Sequence, residues 1–253
     1  MWSRVAADAA SADALRDARL LVSGSAPLPV SVFDALASGS GQRPVERYGM
    51  TETLITLSTR ADGERRPGFV GLPIAGVETR LRSDDDAPVD HDGVTIGGLQ
   101  VRGTTMFDGY ISGGSAADFT ADGWFVTGDA ATIGLDGFHR IVGRASVDII
   151  KTGGFKVGAG EVEAVLLDHP AVSEVAVVGV ADDDLGQRIV AFVVAGAPTT
   201  ATASELTAFV AERLTAHKRP REIRIVDALP RNAMGKVLKK TLAESGQSAR
   251  DRT

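Results

Sequence analysis

An α/β region leading into a separate α+β domain is the fold class that the sequence predicts, on three observations. Residues 1–66 alternate short apolar runs with helical periodicity, residues 67–144 break into short alternating runs between Gly/Asp turns, and after Gly143-Arg144 the period changes again. With 253 residues, 43% apolar and 24% charged, the chain is long enough to bury a core in one large or two modest domains.

Each element follows from its local pattern. Ala18 to Ser23 reads as a short buried strand, the Gly24-Ser25-Ala26-Pro27-Leu28-Pro29 run as a turn, and Val30 to Ser38 as a helix. A second strand from Val45 to Tyr48 runs into Gly49-Met50-Thr51-Glu52-Thr53, which puts a polar loop at a strand's carboxyl end, where open α/β sheets bind ligands. The runs Val77 to Arg82, Val94 to Arg102, Trp124 to Val126 and Phe138 to Val142 predict a small β-barrel or curled sheet. Sixteen of the 29 glycines lie between Gly93 and Gly160, a density suited to tight turns. Beyond residue 144 the pattern predicts a strand at Asp148 to Lys151, a Gly153-Gly154 turn and a helix over Gly158 to Leu167. Strands at Val172 to Val180 and Arg188 to Ala195, a helix at Ala203 to Ala216, a strand at Ile223 to Val226 and a helix from Lys236 follow. The domain boundary is placed after residue 144, giving 1–144 (an α/β piece 1–66 and a barrel-like piece 67–144) and 145–253.

Composition excludes several classes of function. The longest apolar stretch, Ile189 to Pro198, is about half of what a bilayer crossing needs. No apolar signal core follows Met1-Trp2-Ser3-Arg4, so a cytoplasmic protein without a membrane partner is expected. The absence of cysteine removes disulfides, thiolate metal sites and cysteine nucleophiles, and the four histidines show no metal-ligand spacing. A net charge of −6 argues against a nucleic-acid partner. Between Glu212 and Lys240, however, nine Lys/Arg face three acids; this stretch could meet an anion or form a solvated helix face.

Four segments carry residue types suited to nucleotide chemistry. In Tyr48-Gly49-Met50-Thr51-Glu52 the ring can stack on a base, the hydroxyl can donate to a phosphate oxygen, and the carboxylate can hold Mg²⁺ beside phosphate oxygens. Asp129, at the end of Trp124-Phe125-Val126-Thr127-Gly128-Asp129, can accept from ribose hydroxyls. Gly143-Arg144, followed by Lys151, Gly153, Gly154 and Lys156, offers a guanidinium fork and a glycine turn open to close ligand approach. Lys236, in Pro230-Arg231-Asn232-Ala233-Met234-Gly235-Lys236, places an ammonium where it can meet developing negative charge. Taken singly, the same residues also fit a capped turn, an aspartate bonded to its own backbone, and a solvated lysine.

In their order along the chain these segments resemble the adenylate-forming superfamily, which includes acyl-CoA synthetases, luciferases and peptide-synthetase adenylation domains; the resemblance spans about residues 20 to 240. It implies that ATP and a carboxylic acid form an acyl-adenylate, from which the coenzyme A thiol displaces AMP, with Mg²⁺ as cofactor. It also implies that residues 1–144 end the large nucleotide-binding domain and that 145–253 form its small mobile lid domain. Carried over by position, Gly24, Ser25, Ala26, Pro27, Tyr48, Gly49, Met50 and Thr51 bind nucleotide, and Glu52 holds the metal. Asp129 and Arg144 hold the ribose, and Lys236 bridges the attacking carboxylate and the α-phosphate. Lys151, Gly153, Gly154 and Lys156 are candidate coenzyme A contacts, with Lys218 and Arg219 on a neighbouring basic face.

Arg47 separates subgroups. Relatives with hydrophobic acyl substrates resemble this loop but carry glycine before the tyrosine, whereas Glu46-Arg47-Tyr48 looks like malonyl-CoA synthetases, as does the run from Ser146 to Lys156. A guanidinium there would pair with the second carboxylate of malonate or methylmalonate; a surface pair with Glu46 is the other reading. The family's Ser/Thr/Gly-rich phosphate loop ending in Pro-Lys-Gly is absent, since neither Ser38-Gly39-Ser40-Gly41 nor Ser112-Gly113-Gly114-Ser115 is followed by lysine. The chain is therefore expected to be the second half of an enzyme, partnered by a missing N-terminal half. Alone it is expected to bind nucleotide or coenzyme A without turnover.

Overall fold

The computed structural model describes residues 1–111, 119–196, 201–233 and 235–248. Ser112 to Ser115, one of the two phosphate-loop candidates, and Met234 lie outside the described residues. The chain divides into two compact units, Met1–Ile141 and Val142–Thr253. Gly143 and Arg144, assigned from sequence to the end of the first unit, thus fall in the second. Among the described residues no helix is long and apolar enough to cross a membrane.

In the first unit two short helices, α1 (Trp2–Ala6) and α2 (Ala9–Asp13), precede strand β1 (Val22–Ser23). Helix α3 (Val30–Ser40) starts at Pro29 and stops at Gly41, whose φ of 72° supplies the left-handed end that L-residues disfavour. This α3 connects β1 to its parallel partner β2 (Val45–Met50), and antiparallel β3 (Leu54–Ser58) and β4 (Leu72–Pro73) complete the sheet β1-β2-β3-β4. Strand β2 runs two residues further than expected. Gly49 lies opposite Ile55, where a Cβ would stand 1.8 Å from the Leu54 carbonyl oxygen, so only glycine lets the two backbones approach closely enough to continue the ladder. The expected loop shrinks to a turn over residues 51–53. The second phosphate-loop candidate, Ser38-Gly39-Ser40-Gly41, is the last turn of α3 and its cap; the Ser40 hydroxyl is spent on the Leu36 carbonyl.

The glycine-rich region forms β5 (Val77–Arg82), β6 (Gly97–Gly103), β7 (Phe125–Ile133) and β8 (His139–Arg144), in that order. Of the two expected forms, a barrel or a curled sheet, the barrel does not close among the described residues: β5 and β8 are the ends of the strand order. The far edge of β8 is taken by the chain entering β4, with Val70 N–H donating to His139 O and His139 N–H donating to Gly71 O, both at 2.9 Å. Leu57, Leu81, Leu99, Val101 and Ile133 are buried together, so β3 contributes to the core of this second sheet.

The second unit begins with the hairpin β9 (Ile149–Thr152) and β10 (Phe155–Gly158), turned by Gly153 and Gly154 at φ 55° and 82°. Helix α4 (Ala159–Leu167), strands β11 (Val172–Asp182) and β12 (Gly186–Ala195), helix α5 (Ala203–Ala211), strand β13 (Glu222–Ile225) and helix α6 (Lys239–Ser248) follow. The sheet runs β10-β9-β12-β11, with β13 parallel to β12. Its central strands are apolar on both faces because both faces are covered. Val177, Ile189, Ala191 and Val193 pack with Val162 of α4 and Leu206 of α5, while Ala176, Val178, Val180, Val190 and Phe192 pack with Leu242 of α6. Two helices differ from expectation. Helix α5 stops at Ala211, and the chain passes through a 3-10 turn (Ala216–Lys218) to Pro220. Helix α6 starts only at Lys239, because Arg231 bridges to Val237 and Gly235 lies at φ 82° before it.

Gly71 is the sharpest backbone constraint. At φ 87° its Cβ would stand 2.3 Å from the Ser58 and Thr59 backbone. Gly71→Ala should cost more than about 3 kcal/mol, whereas Gly123→Ala, also at positive φ but in open space, should cost about 1 kcal/mol, read by urea denaturation.

Candidate functional site

In the first unit the candidate residues gather where the end of β2 meets β7. The Tyr48 hydroxyl donates to Asp129 Oδ2 at 2.6 Å across 81 residues of sequence. Asp129 is buried, and a bulge presents it: β6–β7 pairing slips between Gly98–Ala130 and Gln100–Val126, with Gly128 at φ 73° inside the slip. Thr127 braces this bulge, its hydroxyl donating to Leu99 O at 2.8 Å and accepting from Asp129 N–H at 3.1 Å. Beyond Tyr48, Thr51 is exposed on the turn and Glu52 is half-buried.

Two residues of this region escaped the sequence reading. Tyr110 donates its hydroxyl to Glu52 Oε1 at 2.8 Å, and Phe107 N–H donates to Glu52 O at 2.9 Å. The two rings meet edge-on at 4.9 Å. Only the aromatic pair in Met106-Phe107-Asp108-Gly109-Tyr110 hinted at this, since nothing local links positions 52 and 110. Among the described residues no three His, Asp or Glu side chains gather as a metal cage. A lone carboxylate such as Glu52 suits Mg²⁺, whose remaining ligands are ordinarily phosphate oxygens and water.

The parallel pairing Ser23–Glu46 brings the turn at Gly24, Ser25, Ala26 and Pro27 beside Arg47; a Cβ on Gly24 would stand 3.2 Å from Arg47 Cγ. Glu46 and Arg47 alternate to opposite sides of β2, Glu46 buried and Arg47 exposed, which overturns the surface pair between them. Glu46 instead accepts from Gly68 N–H at 3.0 Å, and burial pushes its carboxyl up to about 7 despite that bond.

In the second unit Lys151 and Lys156 stand directly opposite each other on β9 and β10, flanking Gly153-Gly154. Phe155 stacks on His217 at 4.3 Å, an aromatic pair that no sequence spacing announced, and Lys218 is paired with Glu161 at 2.7 Å. Lys236 has an exposed side chain on a closely held turn. Its N–H donates to Asn232 Oδ1, and Asn232 N–H donates to the Lys236 carbonyl, both at 2.9 Å; Arg231 Nη1 donates to Gly235 O at 2.6 Å. Asp129 and Arg144, paired from sequence as ribose ligands, belong to different units.

The Glu46 carboxyl makes stability depend on pH. Its folded value lies above the unfolded 4.5, so its contribution is complete below pH 4.5 and is lost as pH rises through about 7. Stability should fall between those values with a slope of at most about 1.4 kcal/mol per pH unit, and Glu46→Gln should flatten it; denaturation midpoints at several pH values read both.

Residues 1–111 match the AMP-binding enzyme family and residues 161–236 match the AMP-binding enzyme C-terminal domain. The malonate–CoA ligase of Arabidopsis thaliana is 39% identical over 93% of the chain and 40% of its own length. The human mitochondrial malonate–CoA ligase ACSF3 is 40% identical over 88% of the chain and 42% of its own length. The chain thus spans about two fifths of the curated relatives it matches. Among solved structures, ATP-bound MatB from Rhodopseudomonas palustris superposes with a TM-score of 0.81 at 33% identity, covering 95% of this chain and 50% of that one. A malonyl-CoA ligase with methylmalonyl-CoA and AMP bound is 50% identical, with a TM-score of 0.54 over 91% of this chain and 51% of its own.

Proposed function

Since the chain belongs to the AMP-binding, adenylate-forming enzyme family, we propose that it supplies the nucleotide-holding and lysine-bearing part of an AMP-forming malonate–CoA ligase. The carrying observation is the Tyr48–Asp129 bond, which joins two of the sequence-ordered segments into one site in the folded first unit. The malonate–CoA ligases at about 40% identity support the choice of acid.

The overall reaction has two balanced steps. A carboxylate oxygen attacks the α-phosphorus of ATP and pyrophosphate leaves; the coenzyme A sulfur then attacks the acyl carbon and AMP leaves. In the first unit, Tyr48 offers its ring face to adenine and orients the Asp129 carboxylate toward a ribose hydroxyl, while Thr51 donates to a phosphate oxygen. Magnesium, held by Glu52 and the phosphates, would neutralise phosphate charge. Arg47, exposed and without a carboxylate partner among the described residues, pairs with the distal carboxylate of malonate or methylmalonate. In the second unit, Arg144 contributes a ribose contact, and the Lys236 ammonium stabilises charge building on the α-phosphate and attacking carboxylate. Lys151 and Lys156 supply positive charge for coenzyme A phosphates beside the Gly153-Gly154 turn.

The decisive assay is malonate-dependent ATP–pyrophosphate exchange by this chain joined behind the upstream half of a malonate–CoA ligase. Absence of exchange in a folded fusion would reject the ligase reading. In that protein Lys236→Ala should slow adenylation by at least ~10²-fold while thioester formation from preformed malonyl-adenylate is spared; equal loss in both steps contradicts its role. Arg47→Gly should lower kcat/KM for malonate by roughly 10²-fold relative to butyrate, and an unchanged ratio discards the diacid assignment.

A further inference from the structure

We propose that Lys239 is a positioning residue, which clamps the Lys236 turn and the Arg144 turn into one rigid frame within the second unit. Its role in catalysis rests on the ligase reading; its structural action does not. Lys239 opens α6, three residues after Lys236, and its side chain is only 16% exposed. The ammonium lies 2.6 Å from Asp148 Oδ1 and 2.8 Å from Glu163 Oε1. Burial alone would lower its pKa, but the two carboxylates together outweigh burial and hold it above the ordinary lysine value.

Each carboxylate is itself anchored to backbone. Asp148 Oδ2 accepts from Arg144 N–H at 3.0 Å, and the Asp148 carbonyl accepts from Ala159 N–H at 2.7 Å where α4 begins. Glu163 Oε1 accepts from Val177 N–H at 2.8 Å on β11. One ammonium thus links the Arg144 turn, α4, β11 and α6. The far end of α6 is fastened as well, because Arg188 Nη2 and Arg224 Nη2 donate to the Gly246 carbonyl at 3.3 and 3.2 Å. With α6 held at both ends, the Lys236 turn leads into a fixed helix. The Arg144 backbone is tied through Asp148 to that same helix.

A structural helix start needs no buried cation with two carboxylates, and a purely apolar α6 would pack on Phe192 and Val180 equally well. The charge is explained by its second task, aligning two turns that carry proposed nucleotide contacts. Removing it leaves Asp148 and Glu163 facing each other without a cation, which drives them apart.

The test uses the 253-residue chain and needs no substrate, so failure of the ligase reading leaves it intact. Amide hydrogen exchange is measured at Arg144 and Lys236, whose N–H groups are bonded to Asp148 and Asn232, in wild type, Lys239→Met and Lys239→Arg. In Lys239→Met both amides should exchange roughly tenfold faster or more while core amides of β11 and β12 keep their protection; Lys239→Arg should restore most of the slowing. Unchanged exchange at Arg144 and Lys236 in a folded Lys239→Met chain overturns the proposal, as does a uniform rise across the whole unit. Should Lys239→Met fail to fold, Glu163→Gln, which keeps the bond to Val177 but weakens the clamp, is read at the same two amides by the same criteria.

Discussion

Backbones held closer than any side chain permits are the constraint on which the first unit depends. At Gly49 and Gly71 neighbouring strands approach so tightly that a single methyl group would sit within 2.3 Å of backbone atoms. The first approach extends the β2–β3 ladder through Met50 and compresses the following residues into a three-residue turn, so Thr51 and Glu52 are presented by a short rigid link. The second holds Gly71 against Ser58 and Thr59 at the end of β3 while Gly71 also bridges to His139 of β8. The Tyr48–Asp129 bond starts one residue before Gly49, on the strand that the first approach extends.

The second unit achieves rigidity differently. Its sheet is apolar on both faces, and hydrophobic packing holds α4, α5 and α6 without specifying their registry along the strands. Charged groups supply that registry at the ends of α6. Asp148 and Glu163 receive Lys239 at the start, and Arg188 and Arg224 meet the carbonyls at the end, where the helix dipole favours positive charge.

Much of the fold was legible because strand periodicity and glycine placement are local signals. Val77–Arg82 was bounded correctly, and the runs Val172 to Val180 and Arg188 to Ala195 read as strands that the structure extends only to Asp182 and back to Gly186. The misjudged features depend on partners distant in sequence. Whether a four-stranded curl closes is decided by what occupies its last edge, here Val70 and Gly71, which carry no mark of that role. At the candidate site, the order of Tyr48, Thr51, Glu52, Asp129, Arg144 and Lys236 could be read, but Tyr110 beside Glu52 and Lys239 beside Asp148 could not. Each acts through a side chain 58 or 91 residues away.

The basic stretch shows how structure divides a charge run into separate tasks. Lys218 is paired with Glu161, Arg231 with Glu174, Lys239 with Asp148 and Glu163, and Arg213 with Glu212, while Arg224 serves α6 and Glu222. Five of the nine basic residues are thus engaged by carboxylates within the unit, while Arg219, Arg221, Lys236 and Lys240 have no salt bridge among the described residues. Lys236 has an exposed ammonium and, like Arg219, Arg221 and Lys240, no carboxylate partner among the described residues, but its backbone is held by reciprocal bonds with Asn232. What sets Lys236 apart is its place on a turn closed by reciprocal bonds with Asn232 and by Arg231 on the Gly235 carbonyl, and the role proposed for it rests on that fixed placement.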